Sequence, residues 1–334
     1  MSPREPARVT VEAPARLHLG FVDLHGGCGR FFGSIGVAIE RPRYVVEMCR
    51  APAAAAPGEG PAALARIMDA LGDDARVAGP IAVRVVEQIP RHQGLGSGTQ
   101  RDLALGSALA RLAGRTLTAA EIAARLGRGR RSGIGIAAFE RGGLIVDAGV
   151  PRALRDRGAG TSGTASVVPP VIFQHGLPAD WRFVVATPMG EEGLHGSRED
   201  AVFRTMPPMS EAVAGRISRL VLMKALPAVL TDDIGAFGEA ITEIQELVGE
   251  QFAPYQAGLY ASDRGQAIAR FAQQHGAAGV GQSSWGPTVF ALVRGHEAAR
   301  ELADGIRSIA GDRPLALWHT PASARGAIVH TAGA

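Results

Sequence analysis

The chain has 334 residues, 46% hydrophobic and 20% charged, which excludes wholesale disorder and, because it exceeds what one core normally holds, predicts two domains. No stretch approaches the ~18 uninterrupted apolar residues of a membrane span, and no apolar signal segment follows Met1-Ser2-Pro3-Arg4-Glu5-Pro6, so a cytoplasmic protein with no membrane partner is expected. The net charge is +3 and the pI 9.3, but no basic run is interleaved with aromatics, which speaks for a small anionic substrate and against nucleic acid.

In chain order, Val9 to Glu12 and Val45 to Met48 read as strand ends. Ala51 to Ala65, rich in Ala, Pro and Gly without periodicity, predicts a surface loop running into a short helix over Ala62 to Leu71. Ile81 to Glu87 has the alternation and β-branching of a half-buried strand. A long helix is predicted from Ser97 to Leu112, with Leu105, Ala108, Leu109 and Leu112 on one face and Gly114 ending it. Thr118-Ala119-Ala120-Glu121 is a capping-box pattern and opens a second helix that stops near Gly127. A strand over Gly143 to Val146 follows, then a charged, glycine-rich loop, Arg152 to Ser166, and a domain boundary near Pro178. The expected domains are thus 1–177 and 178–334. The second half reads as a strand at Phe183 to Thr187, helices over Ser210 to Leu226, Asp232 to Val248 and Gln266 to His275, and a strand at Thr288 to Val293. A helix over Glu297 to Ile309 and a strand over Leu315 to His319 complete an α+β domain of ferredoxin-like order.

Glycine accounts for 44 residues, about twice the usual share of ~7%, and two clusters of it stand beside predicted elements. Pro90-Arg91-His92-Gln93-Gly94-Leu95-Gly96-Ser97-Gly98-Thr99-Gln100 follows one strand and opens the Ser97 helix. Glycines at a helix start let backbone N–H groups converge on an anion that the helix dipole favours. The segment has neither the Gly-Lys-Ser/Thr of a Walker A loop nor the spacing of a dinucleotide fingerprint. The second cluster, Gly279 to Thr288 with Ser283, Ser284, Trp285 and Gly286, lies between a helix and an apolar strand in the other half, which suggests a cleft between the two. Lys224 is the only lysine among 35 basic residues, so side-chain cations that hold an anion there must be guanidinium groups. Cys28 and Cys49 lack partners at disulfide or zinc-site spacing and read as reduced packing residues.

With Ala13 to Phe21, these clusters resemble, in order and spacing, the three motifs of the GHMP kinase superfamily. The resemblance covers about Val11 to Thr320 and implies an α+β, two-domain fold: an N-terminal ribosomal S5 domain 2-like β-α-β domain joined to a C-terminal ferredoxin-like domain. Within the superfamily, Arg16-Leu17-His18-Leu19-Gly20-Phe21, Asp23-Leu24-His25-Gly26-Gly27, Phe32 to Ile39, Gly94 to Gln100, Gly193 to Glu199 and Gln282 to Thr288 are similar to β-ribofuranosylaminobenzene 5'-phosphate synthases. That family transfers the phosphoribosyl group of phosphoribosyl pyrophosphate to 4-aminobenzoate or 4-hydroxybenzoate, releasing carbon dioxide and pyrophosphate, at an early step of tetrahydromethanopterin synthesis. Two departures stand out. Gly135, in Ser132-Gly133-Ile134-Gly135, occupies the place of the aspartate that activates the hydroxyl in many of the kinases. Arg101-Asp102 is polar where apolar residues are expected.

The resemblance implies Arg16, His18 and Asp23 as catalytic. It implies Arg30, Ser34, Gly94, Leu95, Gly96, Ser97, Gly98, Thr99, Gln100, Arg198, Glu199, Ser283, Ser284, Trp285 and Gly286 as substrate or phosphate binding. Mg²⁺ is expected to accompany the pyrophosphate, with its ligands unspecified. Asp23 is equally compatible with closing a turn, and Arg30 with simple exposure. A homodimer is the expectation for a soluble enzyme. An ATP-dependent small-molecule kinase of the same superfamily and a non-catalytic ligand-sensing or RNA-binding module stand as alternatives.

Overall fold

The computed structural model describes residues 6–50, 60–156 and 167–333. Its first layer is built on two long antiparallel strands, β1 (Arg8–Asp23) and β2 (Arg30–Arg50). Val9, Val11, Ala13, Ala15, Leu17 and Leu19 alternate along β1 and are all buried, so this strand carries one continuous core face. β2 also pairs with β3 (Ile81–Glu87), β4 (Leu144–Asp147) and the short β5 (Val150–Pro151), β6 (Val171–His175) extends the sheet from β4, and every pairing is antiparallel.

The helices α1 (Gly60–Leu71), α2 (Ser97–Leu112), α3 (Ala119–Arg125) and α4 (Ile134–Glu140) pack with this sheet, and α5 (Arg152–Asp156) follows β5. α2 lies against β1 and β2 through buried Leu103, Leu105, Leu109 and Leu112. The Thr118 capping box is present in full: its hydroxyl accepts from the Glu121 N–H, and Glu121 accepts from the Thr118 N–H at 2.8 Å.

The second sheet, β7 (Trp181–Pro188), β8 (Gly279–Gln282), β9 (Val289–Arg294) and β10 (Leu315–Thr320), has the antiparallel order β10-β7-β9-β8. That order, with helices joining the first two strands and the last two, is the ferredoxin-like arrangement expected. α10 (Asp263–Gln274) and α11 (His296–Ala310) cover one face through Ile268, Ala272, Leu302 and Ile306. After β7 the chain forms α6 (Gly196–Thr205), α7 (Glu211–Leu220), a π turn at Val221–Ala225 continuing into α8 (Leu226–Leu230), and α9 (Ile234–Phe252), which packs on strands of both sheets. Ile241, Ile244, Val248 and Phe252 of α9 join Leu17 and Leu19 of β1 and Phe183 and Phe290 of the second sheet in one core. The two halves therefore share their interior and hold the cleft between them in fixed geometry.

Several boundaries differ from expectation. β11 (Ile328–Ala332) returns to pair with β1, so the unit drawn as 178–334 does not close on itself. β1 and β2 are far longer than the strand ends read from sequence: β1 keeps its alternation from Val9 to Leu19 and was read too short, whereas β2 is buried without interruption from Phe31 to Ile39 and loses the apolar–polar alternation there. The predicted Arg152 to Ser166 loop begins with α5, and its residues 157–166 lie outside the described residues. α1 starts at Gly60, and 51–59 likewise lie outside them.

The closest approach in the second half is between α9 and β8. A Cβ at Gly238 would collide with the Ala278 carbonyl and the Gly279 nitrogen, both backbone atoms that have no freedom to rotate away. Gly238→Ala is expected to destabilise the protein by roughly 1–3 kcal/mol despite the better helix propensity of alanine. The urea midpoint of the purified variant checks this; an unchanged or raised midpoint would show that the two backbones can separate.

Candidate active site

Three segments meet at one buried hydroxyl. Ser283 Oγ accepts from the His18 N–H at 2.9 Å and donates to the Gly94 carbonyl at 2.6 Å, tying the turn after β8 to both β1 and the loop before α2. A side chain at Gly94 would strike the Ser283 carbonyl, and its φ of 80° is one that L residues rarely adopt, so both space and conformation require glycine. The Arg16 N–H bonds the Leu95 carbonyl at 3.2 Å, its guanidinium Nη1 donates to the Gly94 carbonyl, and the Ser284 N–H donates to the His18 carbonyl at 3.3 Å.

The start of α2 is shaped for an anion. Gly96 is its N-cap, left-handed at φ 78°, and supplies no capping side chain. The first intrahelical bond runs from the Gln100 N–H to the Gly96 carbonyl at 3.0 Å, so helix geometry leaves the N–H groups of Ser97, Gly98 and Thr99 with no acceptor inside the helix. A Cβ at Gly96 would sit 3.0 Å from Arg16 Cγ, which places the Arg16 side chain along the inner flank of the loop. His92 and Ser284, one in each loop, hold positive φ of 58°, a conformation stored at the expense of stability where the surrounding bonds enforce it.

Charged side chains from both halves meet beside the cleft. Arg131 Nη2 pairs with Glu199 at 2.7 Å and Nη1 with Asp200 at 2.6 Å, while its guanidinium lies 5.0 Å over the Phe203 ring. Burial pushes the Glu199 carboxyl above the usual range against the pull of Arg131 and Arg16. Burial also lowers Arg16 to about 10, with Glu199 opposing, so it stays charged at neutral pH. His18 is driven down to about 3, first by burial and then by Arg16 and Arg131; it is a neutral imidazole whose buried Nε2 has no hydrogen-bond partner among the described residues. His92 stacks on His195 at 3.8 Å at the loop's outer end, and burial lowers its pKa.

Of the residues proposed from sequence, Arg16, His18, Gly94, Gly96, Ser97, Gly98, Thr99, Glu199, Ser283 and Ser284 are brought together here. Others have structural tasks. Asp23 Oδ1 accepts from the N–H groups of His25 at 2.6 Å and Gly26 at 2.8 Å, closing a turn. Arg30 donates to the carbonyls of Ala148 and Gly149 at 2.6 and 2.8 Å. Leu95 is core, and Gln100 is buried with Nε2 on the Gly135 carbonyl at 2.7 Å. Trp285 is buried flat against Phe252 at 3.8 Å, and Gly286 backs onto the Gln282 side chain. Ser34 is buried opposite Asp147 in the β2–β4 ladder, and Arg198 is exposed on α6. The sequence reading missed Arg131, whose one signal is its place just before Ser132-Gly133-Ile134-Gly135.

Asp147 was missed too. It sits at the end of β4, buried, and accepts from the N–H groups of Gly133 and Gly149, both at 2.8 Å, and from Ser132 Oγ at 3.3 Å. It thereby fixes the loop that carries Arg131. Among the described residues no group of three His, Cys, Asp or Glu side chains could hold a metal ion. Of the acids held inside, Asp147 is engaged by backbone N–H groups, Glu199 by Arg131 and Asp102 by arginines, so the described residues do not form a cage for resident Mg²⁺.

Burial raises Asp147 to about 6 in spite of its hydrogen bonds. Because the folded form then binds the proton more tightly than the unfolded chain, this group's contribution falls as pH rises from about 4 to 6. The stability difference between the parent and Asp147→Asn is expected to shift against the parent by up to roughly 3 kcal/mol between pH 4 and pH 7. Urea titrations at the two pH values measure it; a difference that grows in the parent's favour would contradict the assignment. Ser283→Ala removes the shared hydroxyl and leaves the His18 N–H and Gly94 carbonyl short of a partner. A loss of roughly 1–3 kcal/mol in the same assay is expected.

Residues 62–143 match the family model for the GHMP kinases N terminal domain, and residues 223–311 match that for the GHMP kinases C terminal. The chain is 33% identical over 315 residues to the beta-ribofuranosylphenol 5'-phosphate synthase of Methanothermobacter thermautotrophicus, covering 90% of this chain and 93% of that protein. It is 36% identical over 289 residues to the protein of the same name from Archaeoglobus fulgidus, covering 85% and 87%. Among solved structures, homoserine kinase from Cytophaga hutchinsonii superposes with a TM-score of 0.67 at 17% identity, covering 97% of this chain and 98% of that one. Mevalonate diphosphate decarboxylase from Staphylococcus aureus gives 0.66 at 13%, with the same coverage. These two likenesses concern the fold alone.

Proposed function

The chain belongs to the beta-ribofuranosylphenol 5'-phosphate synthase family of the GHMP kinase superfamily, and from that premise we propose that it transfers the phosphoribosyl group of phosphoribosyl pyrophosphate to the ring carbon of 4-hydroxybenzoate that bears the carboxylate. The observation that carries the reading is the pairing of an uncapped helix start with the buried, charged Arg16 beside it. The relatives' name specifies a phenol product, which favours the hydroxy over the amino acceptor.

The C1–O bond of the ribose breaks and its electron pair leaves with pyrophosphate. The N–H groups of Ser97, Gly98 and Thr99 and the Arg16 guanidinium face the negative charge that develops there, in a site where burial strengthens each interaction. The ring carbon opposite the hydroxyl forms the new bond to C1. Its bond to the carboxylate then breaks, the electron pair restores the aromatic ring, and carbon dioxide departs. Carbon dioxide leaves in place of a proton, so the reaction needs no base at Gly135, where the nearest atom to an added Cβ would be the Thr99 methyl, at 3.2 Å. Neutral His18 has no proton to give as an acid near pH 7; its free Nε2 is suited to holding substrate by a hydrogen bond. Mg²⁺ in this reading arrives on the donor's own phosphates and belongs to the substrate. The protein is cytoplasmic and a homodimer in the same reading, and its mass in solution tests the latter.

Mixing the purified protein with the donor, Mg²⁺ and carboxyl-labelled 4-hydroxybenzoate is expected to release labelled carbon dioxide and one equivalent of pyrophosphate. ATP-dependent phosphorylation of a hydroxylated metabolite without that release would overturn the reading. Arg16→Ala is expected to lower kcat/KM by about a hundredfold or more, as for loss of a charged donor to a developing anion, while the melting temperature changes by no more than a few degrees. Parallel losses of activity and stability would make Arg16 a packing residue.

A further inference from the structure

His18 lies two positions after Arg16 on β1, so the two side chains leave the same face of the strand roughly 7 Å apart. Arg16 flanks the glycine loop, whereas His18 lines a notch of about 10 Å³, the room of one water-sized oxygen. Phe21 of β1 and Phe252 of α9 form apolar walls of the notch, and the Phe21 ring packs on the imidazole at 4.6 Å. His18 is 3% exposed, and its Nε2 is without a hydrogen-bond partner among the described residues.

The three glutamines that line the same notch do not serve that nitrogen. Gln245 Nε2 donates to the Leu19 carbonyl at 2.7 Å, and its Oε1 accepts from the Gln282 N–H at 2.7 Å. Gln282 Oε1 accepts from the Ala261 N–H at 2.6 Å, and its Nε2 donates to the Ser284 carbonyl at 3.1 Å. Gln256 Nε2 donates to the carbonyls of Gly258 and Leu259 at 2.9 and 3.0 Å, and its Oε1 accepts from Gln282 at 3.3 Å. Every amide nitrogen and oxygen of the three is engaged, so they are fixed walls, and none turns toward Nε2 without breaking a bond that holds another segment.

Size and charge restrict what this nitrogen can bind. No side chain lining the notch carries a charge, because burial, Arg16 and Arg131 keep the imidazole neutral. An ammonium group would be repelled by those same two arginines, and a carboxylate or phosphate is larger than the notch. A hydroxyl meets both conditions. It is one oxygen in size, and because it donates as well as accepts, it pairs with Nε2 in either tautomer of the imidazole. The notch is also tied to the glycine loop: the His18 N–H donates to Ser283 Oγ, which donates to the Gly94 carbonyl.

We propose that this notch is a recognition socket for one neutral hydroxyl of the reactants, held by His18 Nε2 while their anionic groups lie toward Arg16 and the glycine loop. The inference rests on the reading of the cleft as the place where donor and acceptor meet. Two reactants offer such a group, the acceptor at its ring hydroxyl and the donor at the 2-hydroxyl of its ribose.

The test titrates the full-length protein by calorimetry with two pairs of probes, 4-hydroxybenzoate against benzoate and ribose 5-phosphate against 2-deoxyribose 5-phosphate. In one pair the member with the extra hydroxyl is expected to bind about tenfold more tightly, the range for one hydrogen bond to a buried group. His18→Leu is expected to abolish that preference by weakening the hydroxylated member alone, which a general loss of packing does not do. The pair whose preference depends on His18 identifies the reactant that fills the socket. His18→Gln, whose amide reaches about as far as Nε2, is expected to keep part of the preference, and His18→Asn, which stops short of it, none. Should His18→Leu fail to fold, the Gln and Asn variants decide alone. Equal affinities within both pairs, no binding of any probe, or a preference indifferent to these substitutions would overturn the proposal and leave Nε2 to an ordered water. A preference that depends on His18, in a protein that releases no carbon dioxide from the benzoate, would uphold this inference while removing the reaction assigned above. Release of carbon dioxide without such a preference would do the reverse.

Discussion

The cleft depends on a single buried hydroxyl. Ser283 Oγ receives a hydrogen bond from β1 and gives one to the loop before α2, so the positions of His18 and Gly94 are set by a residue 265 positions away from the first and 189 from the second. Buried backbone groups left without a partner are destabilising, and here the partner for two of them is one side chain. Once Gly94 is fixed, its carbonyl receives the Arg16 guanidinium as well, and the loop's next residue, Leu95, receives the Arg16 N–H. The left-handed conformations of His92 and Ser284 persist because the segments around them are tied in this way. The shared core of β1, α9 and the second sheet then makes the junction rigid, since neither half can shift without disturbing the packing of Leu19, Ile244 and Phe290.

Around that junction, charge is organised by buried acids. Asp147 accepts backbone N–H groups and sets the loop that carries Arg131; Arg131 in turn holds Glu199 across the cleft; Asp102 collects three arginines beside the glycine loop. The chain's almost exclusive use of arginine suits this, because a guanidinium can be held by a carboxylate on one edge and present donors on another. His18, kept neutral by burial and by two nearby cations, adds a polar atom without adding charge. In the proposed reaction these preorganised donors would need little reorganisation as charge develops on the leaving group.

Much of this was legible in the residues themselves. β3, α2 and the capping box of α3 fall where alternation, i to i+4 spacing and Thr118/Glu121 place them, because each is stabilised by contacts within a few residues. The glycine loop was legible for the same reason: Gly94 and Gly96 are demanded by local conformation, and the open N–H groups follow from helix geometry. Composition set the kind of cation available, and the three motifs in order pointed to the family that the relatives then bore out.

Other features became definite only in three dimensions. The length of β2 was hidden because a strand buried continuously, as this one is from Phe31 to Ile39, loses the period of two that betrays it, whereas β1 keeps that period from Val9 to Leu19 and was simply read too short. Asp23 and Arg30 carry residue types suited to a site, yet their side chains are spent on nearby backbone, which no spacing rule separates from substrate binding. Arg131 with Glu199, and Arg66, Arg101 and Arg128 with Asp102, are pairings that the packing of distant helices selects from many equally charged candidates. The sequence by itself determined the local conformations and the supply of guanidinium groups, since both follow from short-range sterics and composition. Which acid each arginine meets was decided only by the tertiary structure, because a charge pair acquires its partner and its strength from burial and distance, and neither is a property of the chain before it folds.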